Sequence, residues 1–134
     1  MGFLSNLMIS KGLDTYLALA VRAAGEELNL RFVLAGPVPG SHEQAMIDQT
    51  RARLGAQFEY RGPVHRQDKI DYLRGVDVFV FPTRYRFEAQ PNVLLEALCC
   101  GCAVVSAQRG CIAEDLSEMG GWTVPEEHAA KVKP

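Results

Sequence analysis

No stretch of the sequence approaches the roughly 20 apolar residues that cross a bilayer. The opening segment, MGFLSNLMISKG, has no basic residue ahead of its short apolar run, so neither a membrane span nor a signal peptide is expected. Met1-Gly2 alone does not make an acylation signal, because position six holds Asn6 where that pattern wants Ser or Thr. A positive charge excess is also missing: 14 Lys and Arg stand against 16 Asp and Glu, a formal net charge of −2. Without a broad cationic surface, counterion release gives nucleic acid little reason to bind. There is no Asp-x-Asp, and His42, His65 and His128 are scattered, so no metal-ligand cluster is legible. No G-x-G-x-x-G opens a helix after the first strand, which counts against a dinucleotide-dependent oxidoreductase. Cys99, Cys100, Cys102 and Cys111 crowd one stretch without the spaced pairs of a zinc site or a disulfide framework. Reduced, partly buried thiols in a cytoplasmic protein are expected instead.

What is present is the composition of one soluble domain. The chain has 134 residues, 48% of them hydrophobic and 22% charged, within the usual size of a single compact domain of about 100–150 residues. Short strand-type apolar runs alternate with longer segments of helical periodicity. The strands are expected at 2–5, 31–35, 57–61, 77–81, 103–107 and 122–124. The first helix is expected to start near Ser10 as N-cap, with Leu13, Leu17, Ala20, Val21, Ala24 and Leu28 on one apolar face. Ser41 and Gln44 have capping-box spacing for the second helix, and Pro91 suits the first position of the fourth. Strands joined by helices pair in parallel, and a near-continuous apolar run such as Val76-Asp77-Val78-Phe79-Val80-Phe81 suits a sheet covered on both faces. The expected fold is α/β, a doubly wound parallel sheet of Rossmann-like type. Its ligands belong in the crevice beyond the carboxyl ends of the strands. Residues 126–134 read as an exposed or truncated end.

The segment PTRYRFEAQPNVLLEALCCG, residues 82–101, carries the most chemistry. Glu96 interrupts an apolar helical run, where a carboxylate needs a polar partner. Glu88 lies eight positions earlier in the preceding loop, so both carboxylates can converge near the helix N-terminus. There the free amides of Asn92 and Val93 favour a phosphate. The alternative reading leaves Glu88 as a solvated loop residue and Glu96 as a capping or salt-bridging group. Lys11 stands in a first turn, where a cation is unfavourable unless an anion is present; otherwise it is a solvated lysine.

Glu88 and Glu96, with seven residues between them, resemble the paired-glutamate signature of the glycosyl transferases group 1 family. Phe79-Val80-Phe81-Pro82-Thr83 and Glu96-Ala97-Leu98-Cys99-Cys100-Gly101 are similar to the strand and helix that flank it. Lys11-Gly12-Leu13-Asp14, Ala35-Gly36-Pro37, Tyr60-Arg61-Gly62-Pro63-Val64 and Arg109-Gly110-Cys111-Ile112-Ala113-Glu114 match further family segments in order, over nearly the whole chain.

The resemblance implies the C-terminal half of a two-domain GT-B enzyme, a retaining glycosyltransferase of hexosyltransferase type. Residues 1–134 would form the single nucleotide-sugar-binding domain, without the N-terminal domain that binds the acceptor. Its partner would be a nucleotide-diphosphate sugar, with no essential metal or cofactor. Glu96 would accept hydrogen bonds from ribose hydroxyls and Glu88 would contact the donor sugar. Lys11 would meet the diphosphate and, with Glu88, form the catalytic pair. Gly36 would shape the loop near the donor, and the backbone of Val64 and His65 would read the base. Asn6 departs from the family, which often has an arginine there for a second diphosphate contact; Arg84, Arg86 or Arg109 would have to supply the missing charge. A cytoplasmic protein is implied, with peripheral membrane attachment of a longer form left open. Two other readings stay open: a non-catalytic nucleotide-binding or regulatory module, and a nucleotide-sugar epimerase of the same architecture.

Overall fold

A computed structural model describes residues 1–125 of the chain. Six parallel strands form one sheet: β1 (Gly2–Leu4), β2 (Phe32–Ala35), β3 (Phe58–Tyr60), β4 (Val78–Phe81), β5 (Ala103–Ala107) and β6 (Trp122–Val124). Five helices connect them: α1 (Leu13–Gly25), α2 (Ser41–Leu54), α3 (Arg66–Arg74), α4 (Asn92–Cys99) and α5 (Ile112–Met119). The strand order is β3-β2-β1-β4-β5-β6. The chain therefore winds outward from β1 in one direction, returns, and winds outward from β4 in the other. This is the doubly wound arrangement, and its switch point lies between β1 and β4.

Strands β1, β2 and β4 are buried almost throughout because their residues are apolar on both faces of the pleat. Phe3, Phe32, Phe79, Phe81, Leu13, Tyr16 and Leu34 are at most 2% exposed and form the core with helix residues from both sides. Tyr72 is buried with them, and its hydroxyl is shared between the carbonyls of Phe3 and Val33 at 3.0 and 2.8 Å. Burial holds that hydroxyl far above the usual tyrosine range. The cysteines are free: Cys102 is buried, its Sγ donating to the Leu73 carbonyl at 3.2 Å, while Cys99 and Cys111 are exposed.

Four helix boundaries differ from the sequence expectation. Ser10 does not cap α1; it lies in a 3-10 turn, Ile9–Lys11, and Gly12 is the N-cap. Gly12 has φ of +92°, and a Cβ there would come within 2.2 Å of the Pro82 carbonyl oxygen. The close approach of these two loops, not a side-chain cap, decides where α1 begins. At its other end α1 stops at Gly25, and Glu27 turns the chain with φ of +56°, so Leu28 falls outside the helix and is exposed. Ser41 is already helical, with Gly40 as the N-cap and no side-chain cap bond; Gln44 spends its side chain on Asp48. Pro91 sits one position before α4, with extended ψ of 107°, and its carbonyl accepts from Leu94. The segment 126–134 lies outside the described residues, as does His128.

Candidate functional site

At the switch point two loops leave the carboxyl ends of adjacent strands. The loop after β1 ends in the 3-10 turn that presents Lys11, and the loop after β4 presents Glu88. Lys11 Nζ donates to Glu88 Oε2 at 2.6 Å, and the two side chains are only 16% and 9% exposed. Thr83, fully buried at the end of β4, donates its hydroxyl to the same oxygen at 3.0 Å. The Tyr85 ring lies 4.2 Å below the Lys11 ammonium, a cation–π contact that adds a second support. Glu88 is therefore not a solvated loop residue.

The loop that carries Glu88 is tied to α1. Arg84 grips both oxygens of Asp14 at 2.9 and 2.8 Å, and donates to Thr15 Oγ1 at 2.6 Å and to the Ile9 carbonyl at 3.1 Å. The backbone amide of Arg84 also donates to the Ser10 carbonyl at 2.8 Å. A planar guanidinium with four such contacts fixes orientation as well as distance.

Around Lys11 and Glu88 opens a cavity of about 670 Å³, within the range of small-molecule sites. Asn6, Gly36, Val64, His65, Asn92 and Val93 line it with them. Gly36 belongs there for a steric reason: its φ is +130°, and a Cβ would lie 1.8 Å from the Ser5 carbonyl oxygen. Helix α4 points its N-terminal turn at the cavity wall formed by Pro91, Asn92 and Val93. The amides of Asn92 and Val93 open the helix, where backbone donors have no intrahelical acceptor, and Pro91 contributes none.

Of the two glutamates, Glu96 does not line the cavity. It lies one turn farther along α4, and its Oε2 forms an ion pair with Lys69 Nζ of α3. That oxygen is sealed from solvent yet accepts no aligned hydrogen bond. The salt-bridging alternative is thus the geometry of Glu96 in this structure.

The three candidate substitute arginines also lie outside the cavity lining. Arg84 is spent on Asp14. Arg86 is exposed, 5.7 Å from the Phe87 ring, and Arg109 donates to the Arg84 carbonyl at 3.4 Å. The cations that do line the cavity besides Lys11 are Arg66 and Lys69, both in the first turn of α3. Sequence reasoning passed over them. The argument applied to Lys11, that a cation at a helix start wants an anion, would have found both. Among the described residues no group of three or more His, Cys, Asp or Glu is close enough to hold a metal ion. No helix among them is long and apolar enough to cross a membrane.

A doubly wound α/β domain places its ligands at the switch point, where here an ammonium, a carboxylate and a helix N-terminus converge. The family is specific: the chain matches the glycosyl transferases group 1 family over residues 1–133 and belongs to it. It is 32% identical, over 127 residues, to the phosphatidylinositol N-acetylglucosaminyltransferase gpi3 subunit of Schizosaccharomyces pombe, covering 92% of this chain and 27% of that protein. It is 28% identical, over 109 residues, to the 2-deoxystreptamine N-acetyl-D-glucosaminyltransferase of Niallia circulans, covering 81% and 27%. The fold is similar to that of HepE of Anabaena, solved in complex with UDP, at 26% identity and a TM-score of 0.70, covering 98% of this chain and 37% of that one. The chain spans about a quarter of the length of the curated relatives it matches.

Proposed function

We propose that this chain is the donor-binding domain of a retaining glycosyltransferase and takes a nucleoside-diphosphate sugar into the switch-point cavity. The observation that carries the reading is the meeting of Lys11 and Glu88, 77 residues apart in sequence, at 2.6 Å beside the opening turn of α4. An ammonium and helix-terminal amides suit a diphosphate, and a carboxylate suits sugar hydroxyls. One cavity lined by both suits a molecule that carries both. In this reading the diphosphate lies between Lys11 and the amides of Asn92 and Val93, Glu88 meets the donor sugar, and Glu96 takes the ribose hydroxyls. Val64, His65 and Gly36 bound the nucleoside end, and Asn6 the diphosphate side. Arg66 and Lys69 supply the charge that Asn6 does not.

When the bond from the anomeric carbon to the diphosphate oxygen breaks, the departing oxygen takes the electron pair. Lys11 and the α4 amides are placed to stabilise that growing charge. The UDP complex of the 26% identical neighbour makes uridine the first base to test. Two curated relatives named for N-acetylglucosamine transfer make a hexosamine the first sugar to test. The acceptor belongs to a separate N-terminal domain, so residues 1–134 alone bind donor without turnover, because nothing orients the second substrate. Four free thiols support a reducing, cytoplasmic setting, with any attachment to a membrane surface belonging to the longer protein.

Calorimetric titration of the chain with UDP, with UDP-N-acetylglucosamine and with a nicotinamide dinucleotide tests the reading. Binding of the first two and not the third is expected. A chain that takes up neither uridine nucleotide nor any other nucleoside diphosphate is not a donor-binding domain.

A further inference from the structure

The two lysine–carboxylate pairs at the cavity differ in a way that bears on how a ligand enters. Lys11 and Glu88 are nearly buried, and Glu88 has Thr83 as a second donor. Lys69 and Glu96 are 30% and 42% exposed, and the contacting Glu96 oxygen has no hydrogen bond to hold it. Lys69 lines the cavity and Glu96 does not. The ammonium of this cavity-lining lysine thus holds one of the two Glu96 oxygens, Oε2, and leaves Oε1 unpaired.

We infer that Lys69 is a positioning residue that couples the two ends of the nucleotide: the diphosphate draws its ammonium off Glu96, and the uncapped carboxylate then accepts the ribose hydroxyls. The inference rests on the donor reading above. Lys69 is suited to the exchange because an ammonium on a flexible four-carbon stem turns among acceptors, and no aligned hydrogen bond to Glu96 Oε2 has to be broken. The pair is weak enough to be traded, since partly exposed ion pairs contribute no more than about 1 kcal/mol. A diphosphate at the Asn92 and Val93 amides offers the ammonium more negative charge than one carboxylate does, through charge-assisted bonds. No such exchange is open to a nucleoside without phosphates, which meets Glu96 with Oε2 still held by Lys69 and only Oε1 to accept. The cavity thus favours nucleotides over nucleosides by withholding the second of two carboxylate–ribose contacts until phosphate is in place.

The test uses the 134-residue chain with uridine, inorganic pyrophosphate and UDP as probes, followed by calorimetry or amide chemical shifts at fixed salt. Saturating pyrophosphate should tighten uridine binding about two- to fivefold, and uridine should tighten pyrophosphate by the same factor, as linkage requires. Lys69→Met should tighten uridine by that factor without pyrophosphate and abolish the coupling. Lys69→Gln should behave alike, and Lys69→Arg should keep the coupling. Uridine binding that is unchanged or weaker in both uncharged variants, or coupling that survives in them, overturns the role of Lys69. A parent chain that binds no UDP sinks the donor reading instead, and this inference with it.

Discussion

Replacing Glu88 by Gln keeps the shape of the side chain and removes one charge from a pair that is nearly out of water. Breaking a fully buried pair in this way costs about 3–5 kcal/mol, because the remaining charge loses its partner. Here the ammonium retains the Tyr85 ring at 4.2 Å and 16% exposure onto an open cavity, so the loss should be about 1–2 kcal/mol. With an unfolding entropy near 2.1 cal/mol/K per residue, or about 0.28 kcal/mol/K for a chain of this size, Tm should fall by about 4–7 °C. The same change leaves Lys11 free for a diphosphate. UDP should bind the variant at least as tightly as the parent, and at about 100-fold excess over Kd should restore about 2.7 kcal/mol of stability. UDP-N-acetylglucosamine should lose affinity about tenfold relative to UDP, since the sugar has lost its charged acceptor. Differential scanning fluorimetry with and without each ligand, backed by calorimetry, reads all three effects. Should UDP and the UDP-sugar weaken together, Glu88 would be shaping the cavity and not holding the sugar.

Lys11→Ala should weaken UDP by about tenfold or more while leaving uridine nearly unchanged, because the lost partner is the diphosphate; a parallel loss of uridine in titration would contradict the assignment. Glu96→Gln should weaken UDP about tenfold through its ribose hydroxyls, and equal loss of pyrophosphate alone would place the effect elsewhere. Gly36→Ala must move the Ser5 carbonyl or distort β2, so urea unfolding should show a loss of at least about 2 kcal/mol, and an unperturbed midpoint would refute the close approach. Tyr72 is neutral in the fold and its hydroxyl titrates above the unfolded value of about 10. Stability from this group is therefore full below about pH 10 and declines above it, where the unfolded chain gives up its proton first. Tyr72→Phe should cost about 1–2 kcal/mol at pH 7 and reduce the alkaline decline in urea titrations run at pH 7 and about pH 10.5, the remainder coming from Tyr16, whose hydroxyl burial also pushes up.

The sheet and its connections were legible because apolar runs such as Val78-Phe79-Val80-Phe81 are short and built of β-branched and aromatic residues, which favours a covered strand over a buried helix. The cavity was legible for a related reason: a lysine and a carboxylate in loops need partners, and strand ends bring such loops together, although Lys11 closes a 3-10 turn ahead of α1 and does not stand in the helix's first turn. What could not be read were relations across elements. Gly12 stops α1 because Pro82 lies against it, and nothing near Ser10 records that contact. Arg84 looked available to a phosphate, but Asp14 claims it from 70 positions away. The pairing of Lys69 with Glu96 follows from α3 packing against α4, which local periodicity does not specify.

The grip of Arg84 on Asp14, Thr15 and the Ile9 carbonyl also bears on engineering. Grafting residues 82–91 alone from a homologue without an arginine at position 84, in the hope of altering donor preference, would leave Asp14 without its cation and Glu88 free to drift from Lys11. Residues 9–15 and 82–91 form a single cassette, and a chimera should exchange both pieces or neither.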